Sequence, residues 1–496
     1  GLNSINNWSN RNMKTADRIP LPSNELLLLK PTTRPTDSVI RSIIDFNKGY
    51  QVRGLKTFAK FKLEWERLYP GRRFPGLCAE VNSITGEMRP LKDQRAWSWG
   101  DARALGIWSY FLIKARVPNE NVKIALDSGE EATINLKSFY ENYVDLLYSA
   151  LTERLDQCGG KLPFLVDIET NRASDDPRNI PTREDEWTAS HIFGAGGILQ
   201  YGILRDSPDA IRIGLKLLGE TFLSAHENRY VSHMTRKKSF AHTHGSMMVA
   251  AGAVVDTLKA ADAKPKAKVV TSEFKDELVR HARWALDTFC GYHWNASDKF
   301  FAENIHPIYK TPYPDANGVI ICDPGHAAEG VGFFAELYSY LPKKDKSSFR
   351  IKKDNVLDIL SAILRFVDKR GYSDQGVMYK TVNALTGEGV ADVIDNGKKY
   401  RTAPWWNVRE AAAAASKLFS LTGDPAMWKI YLRALNATYR NYPNAAIGGL
   451  MVQTLDGDTL RALPFHPATG NLDPMHSPRA REREIEALSV CLRRKK

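Results

Sequence analysis

At 496 residues, with 43% hydrophobic and 10% aromatic residues, the chain can bury a large core, which excludes a predominantly disordered polypeptide. Its 69 Lys and Arg against 57 Asp and Glu give a net charge of +12, but the basic residues are spread along the chain, so anionic ligands are favoured and a nucleic-acid surface is not expected. The five cysteines (Cys78, Cys158, Cys290, Cys322 and Cys491) lie far apart without metal-ligand spacing, which argues against a disulfide framework or a structural zinc site, and no apolar run is long enough to span a bilayer.

Residues 1–35 are rich in Asn, Ser, Thr and Pro and read as an irregular extension. Beyond them, apolar residues recur at helical spacing in "SVIRSIIDFNKGY", "FAKFKLEWERLY", "ARALGIWSYFLIKA", "LKSFYENYVDLLYSALTERL", "AIRIGLKLLGETFLSA" and "GSMMVAAGAVVDTLKAA". The series continues with "FKDELVRHARWALDTFCGY", "HAAEGVGFFAELYSYL", "DNVLDILSAILRFVDKRGY", "REAAAAASKLFSLTG" and "PAMWKIYLRALNATYRNY". β alternation is confined to short pieces such as "GVMYKTV" and "GGLMVQTLDGD". Roughly a dozen helices without an intervening linker predict an all-α fold of packed helical hairpins, an α/α barrel with short β-hairpins in its rim loops. The basic stretches "AKPKAKVV", "PKKDKSSFRIKK" and "LRRKK" read as solvated loops and tail.

Four helix starts carry unusual side chains. In "WSWGDARALGIWSYFL", Arg103 lies within an apolar helix near Trp97, Trp99 and Trp108, and reads equally as a partner of Asp101 or as a sugar or anion contact. "SFAHTHGSMMV" offers His242 and His244, whose i, i+2 spacing suits no single helical face and no metal. In "CDPGHAAEGVGFFAEL", Asp323 can cap the helix and Pro324 can open it, which puts His326 in the first turn with Glu329 at i+3. The helix dipole there predicts a neutral imidazole. "APWWNVREAAAAASKLFSLTGD" sets Trp405, Trp406, Arg409 and Glu410 before an alanine run, either as core or as a carbohydrate platform. In "LDPMHSPRAREREIEAL", Ser477 is the expected cap, with His476 just outside the helix and Arg479 three residues on.

These segments resemble the N-acylglucosamine 2-epimerase superfamily, which includes cellobiose 2-epimerases and mannose-type aldose–ketose isomerases. "DPGHAAEGVGFF" resembles its Pro-Gly-His-x-x-Glu motif, "APWWNVREAAAAASKLFSLTGD" its Trp-Trp-x-x-x-Glu helix, and "GGLMVQTLDGD" with "DPMHSPRARERE" its closing hairpin and Pro-x-His-x-x-Arg segment. "WGDARALGIWSY" is a weaker match to the helix bearing the family's arginine, and the similarity runs in order over about residues 90 to 490. The resemblance implies a single (α/α)6-barrel catalytic domain over residues 36–496 and chemistry without a cofactor. It implies His326 and His476 as paired acid–bases, Arg103 stabilising an enediolate and Glu329 tuning His326. Trp99, His242, His244, Trp405, Trp406, Glu410 and Arg479 would bind the sugar. The chain departs from the family pattern at Met247, at "NLDP" before His476, and at Gly330, Val331 and Gly332.

The implied partner is a mono- or oligosaccharide, neutral or anionic, with no membrane and with room for a homodimer. Two other readings stay open: a hydrolase using carboxylates among Asp101, Asp323, Glu329 and Glu410, or a lyase using His242, His244 and Arg103; and a non-catalytic saccharide-binding barrel. His476 discriminates, because only the two-base reading needs it opposite His326. Three tripeptides, "NWS", "NAS" and "NAT", fit a glycosylation pattern, and the compartment is open between cytoplasmic and, with a leader removed, periplasmic or secreted.

Overall fold

Alternate helices of this chain bury their surfaces in two different ways, and that difference builds the architecture. The computed structural model describes residues 17–72, 76, 81–88, 90–91, 94–176, 179, 186–232, 240–344, 348–463 and 475–494. Among them are twelve α-helices: α1 (Asp37–Leu68), α2 (Ser98–Ile113), α3 (Leu136–Gln157), α4 (Ala189–Arg205), α5 (Pro208–His226), α6 (His244–Ala263), α7 (Ser272–Thr288), α8 (Pro324–Leu337), α9 (Lys353–Arg370), α10 (Trp405–Thr422), α11 (Pro425–Asn441) and α12 (His476–Arg493).

The odd-numbered helices are amphipathic. In α7, for example, Phe274, Leu278, Ala282, Ala285 and Leu286 are buried at three- and four-residue spacing. The even-numbered helices are buried nearly all round: α4 from Ala189 to Ile203 without a break, and α8 at every position except His326. A helix apolar on all sides must be surrounded, and each even helix is. α2, α4, α6, α8, α10 and α12 pack successively into an inner ring, while α3, α5, α7, α9, α11 and α1 cover α2, α4, α6, α8, α10 and α12 from outside. Tyr110 and Arg116, from α2 and the residues after it, bond Glu486 and Glu482 of α12 and close the ring. This is the expected (α/α)6 barrel, with its first and last helices forming the closing pair.

Small residues let the inner helices approach closely. A Cβ on Gly197 of α4 would stand 2.3 Å from the carbonyl oxygen of Ala102 on α2. At the rim, two-residue and three-residue strands run directly into inner helices and pair with strands further along: Arg95–Trp97 with Leu165–Asp167, His242–Thr243 with Asn304–Ile305, Ile321–Cys322 with Val382–Asn383, and Thr402–Pro404 with Thr454–Asp456. The N-termini of α2, α6, α8 and α10, and the residues they carry, are thereby set on one rim, with the positive ends of their dipoles toward it.

Four expectations are corrected. The first two helical segments are one 32-residue helix, α1. Helix α4 was not foreseen, because Gly194, Gly196, Gly197 and Gly202 interrupt its apolar pattern. Residues 18–33, irregular apart from short turns, are held against α11: Arg18 bonds the carbonyls of Arg440 and Pro443, Asn436 bonds both the N–H and the C=O of Leu29, and Trp428 Nε1 donates to Thr33. That use of Asn436, buried within α11, removes "NAT" as a glycosylation candidate, while Asn7 and Cys78 lie outside the described residues. Finally, α12 begins at His476 rather than after it, and Ser477, inside the first turn, makes no cap bond. No described helix is long and apolar enough to cross a membrane.

Candidate active site

Asp323 caps α8 as expected, its Oδ1 accepting the His326 N–H at 3.0 Å behind Pro324 at the first helical position. The cap has further work. Asp323 Oδ2 pairs with Lys380 and stands 3.2 Å from His326 Nδ1. The carboxylate that grips His326 Nδ1, at 2.9 Å, is Glu303, from the strand pairing that precedes α6. Burial draws the His326 pKa down, but Asp323 and Glu303 outweigh both burial and the opposing Lys380, so the net shift is upward. Two adjacent carboxylates therefore oppose the helix dipole and favour the charged imidazole more than the dipole alone would. Glu303, for which burial alone would favour the neutral acid, is held well below its usual value by His326.

His476 has the same arrangement on the next side of the ring. Its Nδ1 lies 2.9 Å from Glu410 Oε1 and 3.9 Å from Glu329 Oε1. Arg479 Nη2 donates to both carboxylates, at 2.8 Å to Glu410 and 2.5 Å to Glu329. Burial alone would raise the pKa of Glu410; Arg479 and His476 instead hold it far down. Glu329 thus lies on the His476 side, bonding Arg479, and not against His326, which the resemblance has it orient or tune: the first turn of α8 turns His326 to the rim while Glu329 faces α12. Glu329, Glu410 and His476 offer ligand atoms within 4.8 Å of one another, a set able to hold a metal ion. A cation there would compete with Arg479, which already bonds both carboxylates.

The indole of Trp406 joins the two histidines. Its ring centroid is 5.3 Å from that of His326, tilted by 30°, and 5.3 Å from that of His476, stacked at 20°. The two imidazoles are thus separated by no more than twice that distance. Lys380 Nζ sits 4.9 Å from the same indole. Trp405 is core instead, 2% exposed, with Nε1 donating to Gln453 at 3.2 Å.

Burial lowers the pKa of His244 to about 4, so it is neutral, and its Nε2–H donates to the His326 carbonyl at 2.9 Å. His242, likewise lowered to about 4 by burial, lies on the strand paired with Ile305. Arg103 does not pair with Asp101, which bonds Arg154 at 2.7 Å with both side chains fully buried. Its guanidinium instead lies 4.9 Å from Trp99 and 4.1 Å from Phe193. Arg103 and Arg479 both line a cleft of about 340 Å³ between α2, α4, α6 and α12, together with Gln200, Asp256 and Met475. Met247 is buried in α6, Gly330 lies against the His244 ring, and "NLDP" lies outside the described residues.

Glu303 and Lys380 are the site residues the sequence did not reveal. Both stand in irregular rim segments beside two-residue strands, where no periodic signal exists; the Phe300–Phe301 pair before one and "GVMYKTV" around the other were the available hints.

No known sequence-family model and no curated protein matches this chain. Solved structures do. The cellobiose 2-epimerase of Bacillus thermoamylovorans B4167 is similar with a TM-score of 0.60 at 15% identity, covering 91% of this chain and all (100%) of that one. A D-mannose isomerase gives 0.58 at 13% identity, covering 93% and 98%. The cellobiose 2-epimerase of Spirochaeta thermophila DSM 6192 gives 0.60 at 12% identity, covering 92% and 99%. The fold is that of the sugar epimerases and isomerases whose motifs the sequence resembles.

Proposed function

We propose that this chain is a carbohydrate epimerase or aldose–ketose isomerase that works through an enediolate, with residues 36–496 as its catalytic domain. The observation that carries the reading is the pair of imidazoles: each is held at Nδ1 by a buried carboxylate, and both lie against one indole. With Nδ1 so engaged, Nε2 is the proton-exchanging atom of each ring. In an opened sugar, one histidine takes the proton alpha to the carbonyl, the electron pair forms the carbon–carbon double bond, and charge gathers on the carbonyl oxygen. The other histidine returns a proton, to the opposite face for the epimer or to the neighbouring carbon for the ketose. Arg103, at the cleft, and Lys380, beside the indole, are the cations available to the developing oxyanion. Trp406 offers a ring face for the sugar, and Glu329, Glu410 and Arg479 fix His476. The raised pKa of His326 suits it to begin a turnover as the acid.

The test is incubation in D2O with a panel of reducing mono- and disaccharides, neutral and uronate, read by NMR at the C2 proton. Wash-in of deuterium that is lost in His326→Ala and in His476→Ala is the expected result. Shortening of an oligosaccharide, or an unsaturated product, with no exchange at C2 would replace the reading with a hydrolase or lyase.

A further inference from the structure

One residue past Glu303, the chain leaves the rim as a tight hairpin. His306 N–H donates to the Thr311 carbonyl at 2.7 Å, Tyr313 N–H to Asn304 at 2.9 Å, and His306 Nδ1 accepts from the Ile308 and Tyr309 N–H groups, both at 3.1 Å. The hairpin carries a built cluster of rings. Tyr309 lies over His306 with centroids 4.5 Å apart, and Phe240 meets His306 edge-on at 5.4 Å and Tyr313 at 5.5 Å. Ordered aromatic side chains are ordinarily covered, yet Tyr309 is 73% exposed, Ile308 75% and Phe240 58%.

We propose that this cluster binds the outer units of an oligosaccharide whose reducing-end sugar occupies the His326–His476 site; the proposal rests on the carbohydrate reading above. Three features select that occupant. Position is the first: His306 follows Glu303 by three residues, so the platform begins within about 10 Å of backbone from the carboxylate that grips His326. Chemistry is the second, because flat uncharged rings suit the C–H faces of pyranoses, while the hairpin's backbone groups and His306 Nδ1 are engaged in its turn. The third is order: a platform held by backbone bonds and by the strand Asn304–Ile305 against His242–Thr243 is preorganised, so little entropy is lost on binding. The enzyme would then act on the reducing end of a chain, with Tyr309 and Phe240 selecting for length.

Calorimetric titration of the full-length His326→Ala/His476→Ala chain tests this without turnover, using glucose, mannose, cellotetraose, mannotetraose and a tetra-uronate as probes. At least one tetrasaccharide is expected to bind about tenfold or more tighter than its monosaccharide. Tyr309→Ala and Phe240→Ala should each remove most of that gain without changing monosaccharide affinity, and Tyr309→Trp should keep it. Equal affinity for chain and monosaccharide, or a tetrasaccharide affinity indifferent to both alanines, overturns the proposal. So does loss of a dimer by light scattering in Tyr309→Ala with unchanged saccharide affinity, which would make the patch a contact between copies. Length-dependent binding by this variant, together with no C2 exchange by the wild-type chain, would keep the platform and discard the epimerase reading.

Discussion

His326 shows how far a single side chain departs from what its own helix dictates. The first turn of α8 repels an imidazolium, but Asp323, the helix's own cap, and Glu303, from a distant rim segment, push the other way and raise the pKa. Glu303→Gln should lower the His326 pKa in an NMR titration, and Lys380→Met should raise it; movement in the opposite directions would refute this assignment of partners. The same shift has a stability consequence. A folded-state pKa above the unfolded value makes the proton stabilising at low pH, with the contribution complete below about 6.5 and lost as pH rises through the folded value. The stability difference between wild type and His326→Gln should therefore shrink on going from about pH 6 to about pH 9. At this scale the sequence was partly legible. His326, His476, Trp406 and Glu410 announced themselves at helix starts, whereas the carboxylate on His326 comes from 23 residues upstream, a distance no local spacing encodes.

Among the elements, α12 is the least ordinary. It lies in the inner ring, yet Arg479, Arg481, Glu482, Arg483 and Glu484 are all buried. Arg409 on α10 pairs with Glu484 where both side chains are fully buried, and Arg479 and Arg483 meet Asp256 of α6. Removing one member leaves a buried charge unpaired. Arg409→Met should cost about 3–5 kcal/mol in denaturant unfolding, and Arg409→Met/Glu484→Leu should recover most of it. The charge pattern "RAREREIE" alone reads as a solvated face, and only packing turns it into an interior. Helix α4 is the complementary case: its glycines weaken every helical signal, and their purpose, the approach of Gly197 to Ala102, exists only once both helices are in place. The outer helices were legible because one face of each meets water; of the inner ones, α2, α6, α8, α10 and α12 were legible from apolar spacing or from the residues at their starts, and only the glycine-broken α4 was not.

For the whole molecule, closure depends on contacts between the two ends of the chain. α1 covers α12, and the segment before α1 is strapped across α11 through Asn436. Asn436→Ala should release the strap, seen as faster proteolysis within residues 20–35, at a cost of about 1–3 kcal/mol for the unpaired Leu29 groups. The barrel class was readable from helix number and order. Its seam was not, since pairing residues 37–68 with 476–493 is a property of the closed ring rather than of any stretch of sequence.

That seam also means the barrel has no obligatory first hairpin. A peptide long enough to run the length of α11, from Arg494 beside Ser420 to Arg18 beside Arg440, about 25 Å, with a cut in the lysine-bearing connection between α6 and α7 at residues 264–271, would preserve every helix neighbour while reordering synthesis. In such a permutant Trp406, Glu410 and His476 would come from the first half of the translated chain and His244 from the last. A site distributed around a ring in this way belongs to the circle of helices and not to the direction in which it is read.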